Sequence, residues 1–180
     1  MTSPEEAPSG PPPAPARRGA LSRFFFPAVN RWFLLRLSLV AALTALFFGF
    51  LCVPARIEGH SMEPTYRDGG FAFCWRPRFW IHPPKPGRVV MVRIAGRRLM
   101  YLKRVVATSN DTVEFRKGEL WVNGVRRQEP YALGPCDWEL PPRLVPTGHL
   151  YVIGDNRTMP IAEHTFGSVP LGRIEGGPAW

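Results

Sequence analysis

Apolar residues run without a charge over one long stretch of the chain, the 17 positions from Leu37 to Val53. Seventeen is the short end of what an α-helix needs to cross a bilayer. Trp32–Leu35 lengthen the stretch, because Arg36 can snorkel toward the headgroups. The pattern predicts a retained single span over residues 32–54. A cleaved leader would have a shorter apolar region and an A-x-A-like exit, and "FLCVPAR" offers none. Nor does Leu51 ahead of Cys52 suit a lipoprotein acceptor, which wants a small residue there.

Beyond Pro54 the text breaks into short runs rich in β-branched and aromatic residues: "GGFAFCW", "RVVMVRI", "LMYLKRVVAT", "DTVEFRK", "ELWVNGV" and "HLYVIGD". Gly, Pro, Asn and Asp separate them, the signature of strands and turns. "RKGELWVNGVRR" reads as a hairpin segment with turns at Lys117-Gly118 and Asn123-Gly124. "RPRFWIHPPKPG" and "EPYALGPCDWELPPRLVPTG" read as proline-rich, loop-like insertions. No helical stripe follows residue 54, and no repeat appears. The expected fold is mostly β, with folded-over or barrel-like antiparallel sheets preceded by one N-terminal transmembrane helix. Residues 1–31 are expected to be a disordered basic tail, 32–54 the anchor, and 55–180 an extracytoplasmic β-rich domain.

The net charge of +9 divides into +4 over residues 1–56 and +5 over the rest. No helix-turn-helix, RNA-binding or zinc-finger spacing accompanies it, so nucleic acid is not the expected partner. A bilayer explains it better. Arg17, Arg18, Arg23, Arg31 and Arg36 all precede the apolar run, with no acid after Glu6. By the positive-inside rule this places the N-terminus in the cytoplasm and the β-rich domain across an inner membrane, on the periplasmic side. Cys52, Cys74 and Cys136 form no C-x-x-C pair. Cys74 and Cys136 could pair in an oxidising compartment, but without a framework pattern free thiols are the expected state. No metal or other cofactor is implied, since HExxH, a P-loop and acidic clusters are all absent.

The candidate chemistry lies in "GHSMEPT", residues 59–65. A serine hydroxyl needs a base within reach and a loop that leaves its oxygen exposed. Gly59 lets the backbone turn, and Pro64 stops a helix or ladder from continuing. An isolated S-x-x-P is more often an ordinary turn, so the base decides. His60 adjoins Ser61 in sequence, and adjacent side chains diverge in extended backbone. His82, His149 and His164 carry no triad-like carboxylate motif. In "LMYLKRVVA", strand alternation puts Tyr101, Lys103 and Val105 on one face, with Leu102, Arg104 and Val106 on the other. Lys103 there has apolar neighbours, and a desolvated lysine loses its proton readily. Taken alone, it reads more readily as a snorkelling surface lysine.

"GHSMEPT", then "YLKRVVA", then "YVIGDNR…FGSVPLGRIEG" resembles, in order and across residues 35–176, the bacterial type I signal peptidases. These are membrane-anchored serine endopeptidases that remove signal peptides from exported preproteins with a Ser–Lys dyad. The resemblance implies Ser61 as nucleophile, neutral Lys103 as general base and the Ser61 backbone N–H as an oxyanion donor. It further implies that Met62 and Pro64 shape the nucleophile's loop, and that Gly154, Asp155, Asn156 and Arg157 form the turn beside the cleft. Residues 57–60 and 99–102 flank the pair, which makes Gly59, His60, Met62, Tyr101 and Leu102 the candidates to meet an extended substrate.

The chain departs from the family pattern in two places. Gly59 stands where some members carry a second oxyanion donor, and "TMPIAEHTFG" replaces a segment of the type S-x-D-S-R. Pro160, Ala162 and His164 thus take the serine, aspartate and arginine positions. Glu163 and His164 form a candidate substitute polar pair, and Thr158 or Thr165 a candidate to reach Lys103. These departures leave two alternatives open: a specialised processing peptidase for pilus or conjugation proteins, or an inactive membrane-tethered peptide-binding paralogue. "FCWRPRFWIHPP" fits either a lipid-interface segment or a proline-braced loop. The sequence leaves the oligomeric state open.

Overall fold

The computed structural model describes residues 29–95, 99–164 and 167–179, so the expected tail lies outside the described residues up to position 28. Contacts divide the chain between Leu43 and Thr44 into two units. Helix α1 spans Arg31–Leu46 and continues through a π-helical turn, Phe47–Leu51. Asn30 starts it, its Oδ1 accepting the Phe33 N–H at 2.9 Å as an N-cap does. The 21 residues from Arg31 to Leu51 have the length and apolar character to cross a membrane, and none is buried in the protein over the window that qualifies. At 1.5 Å per residue they reach about 31 Å, one hydrocarbon thickness.

Among the described residues eleven strands follow, in one seven-stranded and one four-stranded sheet. The large sheet has the order β1 (Cys52–Arg56), β2 (Phe71–Trp75), β11 (Ile174–Pro178), β3 (Val89–Ala95), β4 (Leu99–Ala107), β9 (His149–Ile153), β10 (Gly167–Pro170). The small sheet is ordered β7 (Val125–Arg126), β6 (Glu119–Val122), β5 (Thr112–Arg116), β8 (Leu140–Leu144). Every strand pairing is antiparallel. The sheets do not close into a barrel. The two expected turns are present, with positive φ at Lys117, Gly118, Asn123 and Gly124, as tight two-residue hairpins require.

Two sequence expectations change. Cys52 and Val53, the end of the uncharged run, belong to β1 and not to the helix; they pair with Trp75 and Cys74. The second proline-rich insertion contains strand β8, "LPPRL". Pro141 and Pro142 cannot donate to a ladder, and β8 tolerates them because it is the edge of its sheet.

Three apolar clusters hold the domain. One joins β4 and β9 to the small sheet through Val106, Phe115, Leu120, Trp138, Tyr151 and Ile153. A second gathers Ala55, Ile57, Met62, Cys74, Met91 and Leu102, and a third Val90, Val105, Leu150 and Val152. The three cysteines are free thiols. Cys74 is buried, and that desolvation pushes its thiol up to about 11.

Candidate active site

Ser61 sits in the loop between β1 and β2, whose neck is closed by Ile57 N–H to Gly70 O at 2.8 Å and Gly69 N–H to Ile57 O at 3.0 Å. Gly59 has φ +89°, a left-handed value that favours glycine, and its N–H donates to Asp68 Oδ1 at 2.8 Å. Next to Ser61, Met62 is 2% exposed and pins the loop into the second cluster. The Ser61 backbone N–H makes no hydrogen bond among the described residues. Pro64 follows a cis peptide bond.

Lys103 lies in β4 and is only 4% exposed. Its Nζ donates to Ser61 Oγ at 2.8 Å. Burial drives the ammonium from 10.5 down to about 8, and the charge of Asp155 pulls it only partly back. Tyr101, on the same face, has its ring 5.9 Å from Nζ. Leu102 faces the other way, into the second cluster. Arg104 also leaves the Lys103 face, but it is buried and not solvent-directed.

The "GDNR" turn after β9 organises both groups. A Cβ on Gly154 would lie 2.1 Å from Ser61 O and 2.6 Å from His164 Cε1, so only glycine lets the serine loop dock. Asp155, fully buried, takes Arg104 Nε at 2.7 Å and Nη2 at 2.5 Å, and accepts Thr65 Oγ1 at 2.5 Å. Asn156 clamps the loop directly: its N–H donates to Ser61 O at 3.0 Å and its Nδ2 to His60 O at 3.1 Å. Arg157, 2% exposed, donates to Gly154 O and both oxygens of Glu129, the latter at 2.6 Å each. Arg104 stacks on the Tyr131 ring at 3.9 Å, and Tyr131 donates to Glu129 at 2.9 Å. A closed polar cage thus ties β4 to the turn that holds Ser61.

Two neighbouring cations meet different fates in this cage. Asp155 is engaged in bidentate fashion by Arg104, whose guanidinium cannot lose its proton. Lys103 is left buried with no carboxylate within 4.0 Å among the described residues. The amine is therefore the cation whose proton is loosened, to about 8.

Of the segment that replaces S-x-D-S-R, His164 enters the site and Glu163 does not. Glu163 is exposed and its side chain makes no hydrogen bond or ion pair among the described residues. His164 is buried, its ring edge-on to Trp138 at 4.7 Å. Burial lowers its imidazole to about 4, so it is neutral. Its Nε2 lies 2.6 Å from Asn156 O, and a carbonyl only accepts, so Nε2 carries the proton. Thr158 Oγ1 donates to Asn156 Oδ1 at 2.6 Å, not toward Lys103. Thr165 lies outside the described residues. His60 projects outward and pairs with Glu63 at 3.0 Å.

Thr65, Arg104, Glu129, Tyr131 and Trp138 escaped the sequence reading. One signal was available for Arg104: an arginine inside an apolar strand needs a buried carboxylate partner. Gly154→Ala tests the docking of the loop. With no room for the methyl, it is expected to displace Ser61 and slow turnover about 100-fold, with a lower thermal midpoint. Unchanged kcat would show that the loop does not depend on this contact.

A sequence model of the family described as "Signal peptidase, peptidase S26" matches residues 29–179. Thylakoidal processing peptidase 1, chloroplastic, of Arabidopsis thaliana is 32% identical over 142 residues, covering 73% of this chain and 42% of its own length. Probable signal peptidase I-1 of Synechocystis is 33% identical over 151 residues, covering 79% of this chain and 76% of its own. The crystal structure of a signal peptidase I from Enterococcus faecalis V583 shares 24% identity at a TM-score of 0.40, over 54% of this chain and 97% of that one. The chain thus spans less than half of the plant relative and about three quarters of the cyanobacterial one. With all of its described residues inside the family match, the chain belongs to the signal peptidase family, peptidase S26.

Proposed function

We propose that this chain removes signal peptides from exported preproteins, with Ser61 as nucleophile and neutral Lys103 as general base, while α1 anchors it in the bilayer. The observation that carries the reading is the 2.8 Å contact between Lys103 Nζ and Ser61 Oγ, made by an amine that is 4% exposed. Neutral Lys103 takes the Ser61 proton as Oγ attacks the carbonyl of the signal peptide's last residue. The Ser61 N–H, free of protein partners among the described residues, faces the developing oxyanion. The Lys103 ammonium then protonates the leaving amine as the peptide bond breaks. Water, deprotonated by the same lysine, hydrolyses the acyl-enzyme and restores Ser61.

The sheet supports an extended substrate beside the pair. β4 pairs with β3 from Leu99 through Arg104, but its pairing with β9 begins only at Arg104 and Ile153. Among the described residues, 99–103 therefore keep one ladder edge open next to Ser61, suited to strand addition. In this reading the loop of Gly59, His60 and Met62 forms the opposite wall.

The test is cleavage of a preprotein with an Ala-x-Ala site by the detergent-solubilised full chain. Wild type cleaves, and Ser61→Ala does not. An amine titrating at about 8 is neutral about one time in ten at pH 7. The single-turnover rate is therefore expected to rise about tenfold from pH 7 to a plateau above pH 9. A flat profile from pH 5 to 9 would remove lysine as the base.

A further inference from the structure

Between β2 and β3 the chain forms an open surface pocket of about 400 Å³, lined by Arg78, Phe79, His82, Pro84, Lys85 and Arg88. No acidic residue lines it. Arg76 and Arg93 share Glu175, and Arg104, Arg116, Arg126 and Arg157 each hold a carboxylate. None of Arg78, Lys85 and Arg88 has a carboxylate within 4.0 Å among the described residues. Arg78 is aimed by its Nη1, which donates to the Pro178 carbonyl. Three basic side chains lining one pocket repel one another, and an anion between them relieves that repulsion. Guanidinium forks and a lysine ammonium match phosphate oxygens.

The surroundings select the source of that phosphate. Trp80 and Ile81, in the same segment, are 68% and 85% exposed. The segment begins against the end of the apolar helix: Phe47 packs on Trp75 with ring centroids 5.9 Å apart, and Arg76 Nη1 donates to Phe50 O at 3.3 Å. Phe47, Phe48 and Phe50 are themselves exposed. An exposed tryptophan and isoleucine in a segment that starts against the last turn of the apolar helix belong at the depth where headgroups meet acyl chains. A soluble phosphate would need the cations but would leave these two exposed apolar side chains without a role.

We propose that Arg78, His82, Lys85 and Arg88 bind the phosphate of an anionic lipid headgroup, with Trp80 and Ile81 set among its acyl chains. The proposal rests on reading α1 as a membrane span, and it is independent of the dyad. It predicts that the enzyme carries its own anionic lipid on the face where the chain leaves the bilayer.

The test is titration of the full chain in neutral detergent with dihexanoyl-phosphatidylglycerol, dihexanoyl-phosphatidylcholine and inorganic phosphate, followed by calorimetry. Saturable binding of the phosphatidylglycerol is expected, weakened about thirtyfold in Lys85→Gln/Arg88→Gln. Arg126→Gln/Arg127→Gln, which removes equal charge from the small sheet, is expected to bind as wild type does. Equal affinity for the two lipids, no loss in the Lys85/Arg88 variant, or equal loss in the control would overturn the site. Inorganic phosphate binding as tightly as phosphatidylglycerol would overturn the lipid assignment. Preprotein cleavage in parallel keeps the readouts apart: an inactive protein that still binds the anionic lipid fails the peptidase reading alone.

Discussion

Lys103→Met is expected to cut preprotein cleavage about 10³-fold while making the protein more stable at neutral pH. The lysine is 4% exposed and its folded-state value is held at about 8 against 10.5 for the free side chain. Below pH 8 both folded and unfolded chains carry the proton, and the folded one keeps an ammonium where water cannot reach it. That costs about 3 kcal/mol. Between about 8 and 10.5 the unfolded chain still holds the proton and the folded chain has released it, so wild-type stability rises with pH. Above that window the penalty is gone. Methionine has similar length and no charge, so the variant's advantage is expected to be greatest near pH 6.5 and to vanish toward pH 10.5. Thermal midpoints of the detergent-solubilised protein at both pH values check it. Ser61→Ala is the companion, equally inactive but with little pH-dependent change. A Lys103→Met chain that cleaves normally, or is destabilised equally at both pH values, would refute the buried-base reading.

Arg104→Met is expected to be the most damaging single change to the fold. It leaves Asp155, which is fully buried, without its bidentate partner. It also removes a donor to Gly87 O at 2.7 Å and the cation stacked on Tyr131. Stranding one member of a buried pair costs about 3–5 kcal/mol. Arg104→Met/Asp155→Asn is expected to recover part of this, because no charge is then left uncompensated. The single variant also has a kinetic signature. Asp155 already pulls the Lys103 ammonium upward, and without Arg104 its charge acts on Lys103 unopposed. In whatever fraction stays folded, the rise of the rate with pH should move to higher pH. The double variant should move it back. Chemical denaturation and pH–rate profiles of the two variants separate these effects, and a single variant with wild-type stability would show that the cage is not what holds β4 to the turn.

The strands that the sequence reading missed share a cause. β1, β8 and β10 contain Pro54, Pro141–Pro142 and Pro170, and each is an edge of its sheet. Proline disqualifies a strand only where a ladder needs the N–H, and whether it does is settled by the neighbour. β11 lies inside the large sheet but reads "IEGGP". Its glycines are required because a Cβ on Gly176 would meet Trp75 O at 2.5 Å and one on Gly177 would meet Arg78 and Phe79. Those contacts come from residues about a hundred positions away, and no local window contains them.

The chain's own text determined the apolar helix, the six strands with β-branched and aromatic runs and the two glycine turns, and it offered Ser61 and Lys103 as candidates for nucleophile and base. Each is a local property: run length, alternation, backbone permissiveness, the chemistry of one residue. Tertiary structure decided which of two adjacent buried cations has its proton loosened, that His164 and not Glu163 enters the site, and that four basic residues between β2 and β3 line one open pocket without an acid. These depend on which groups meet after folding. Desolvation and charge pairing act through space over a few ångströms, and sequence distance carries no record of them.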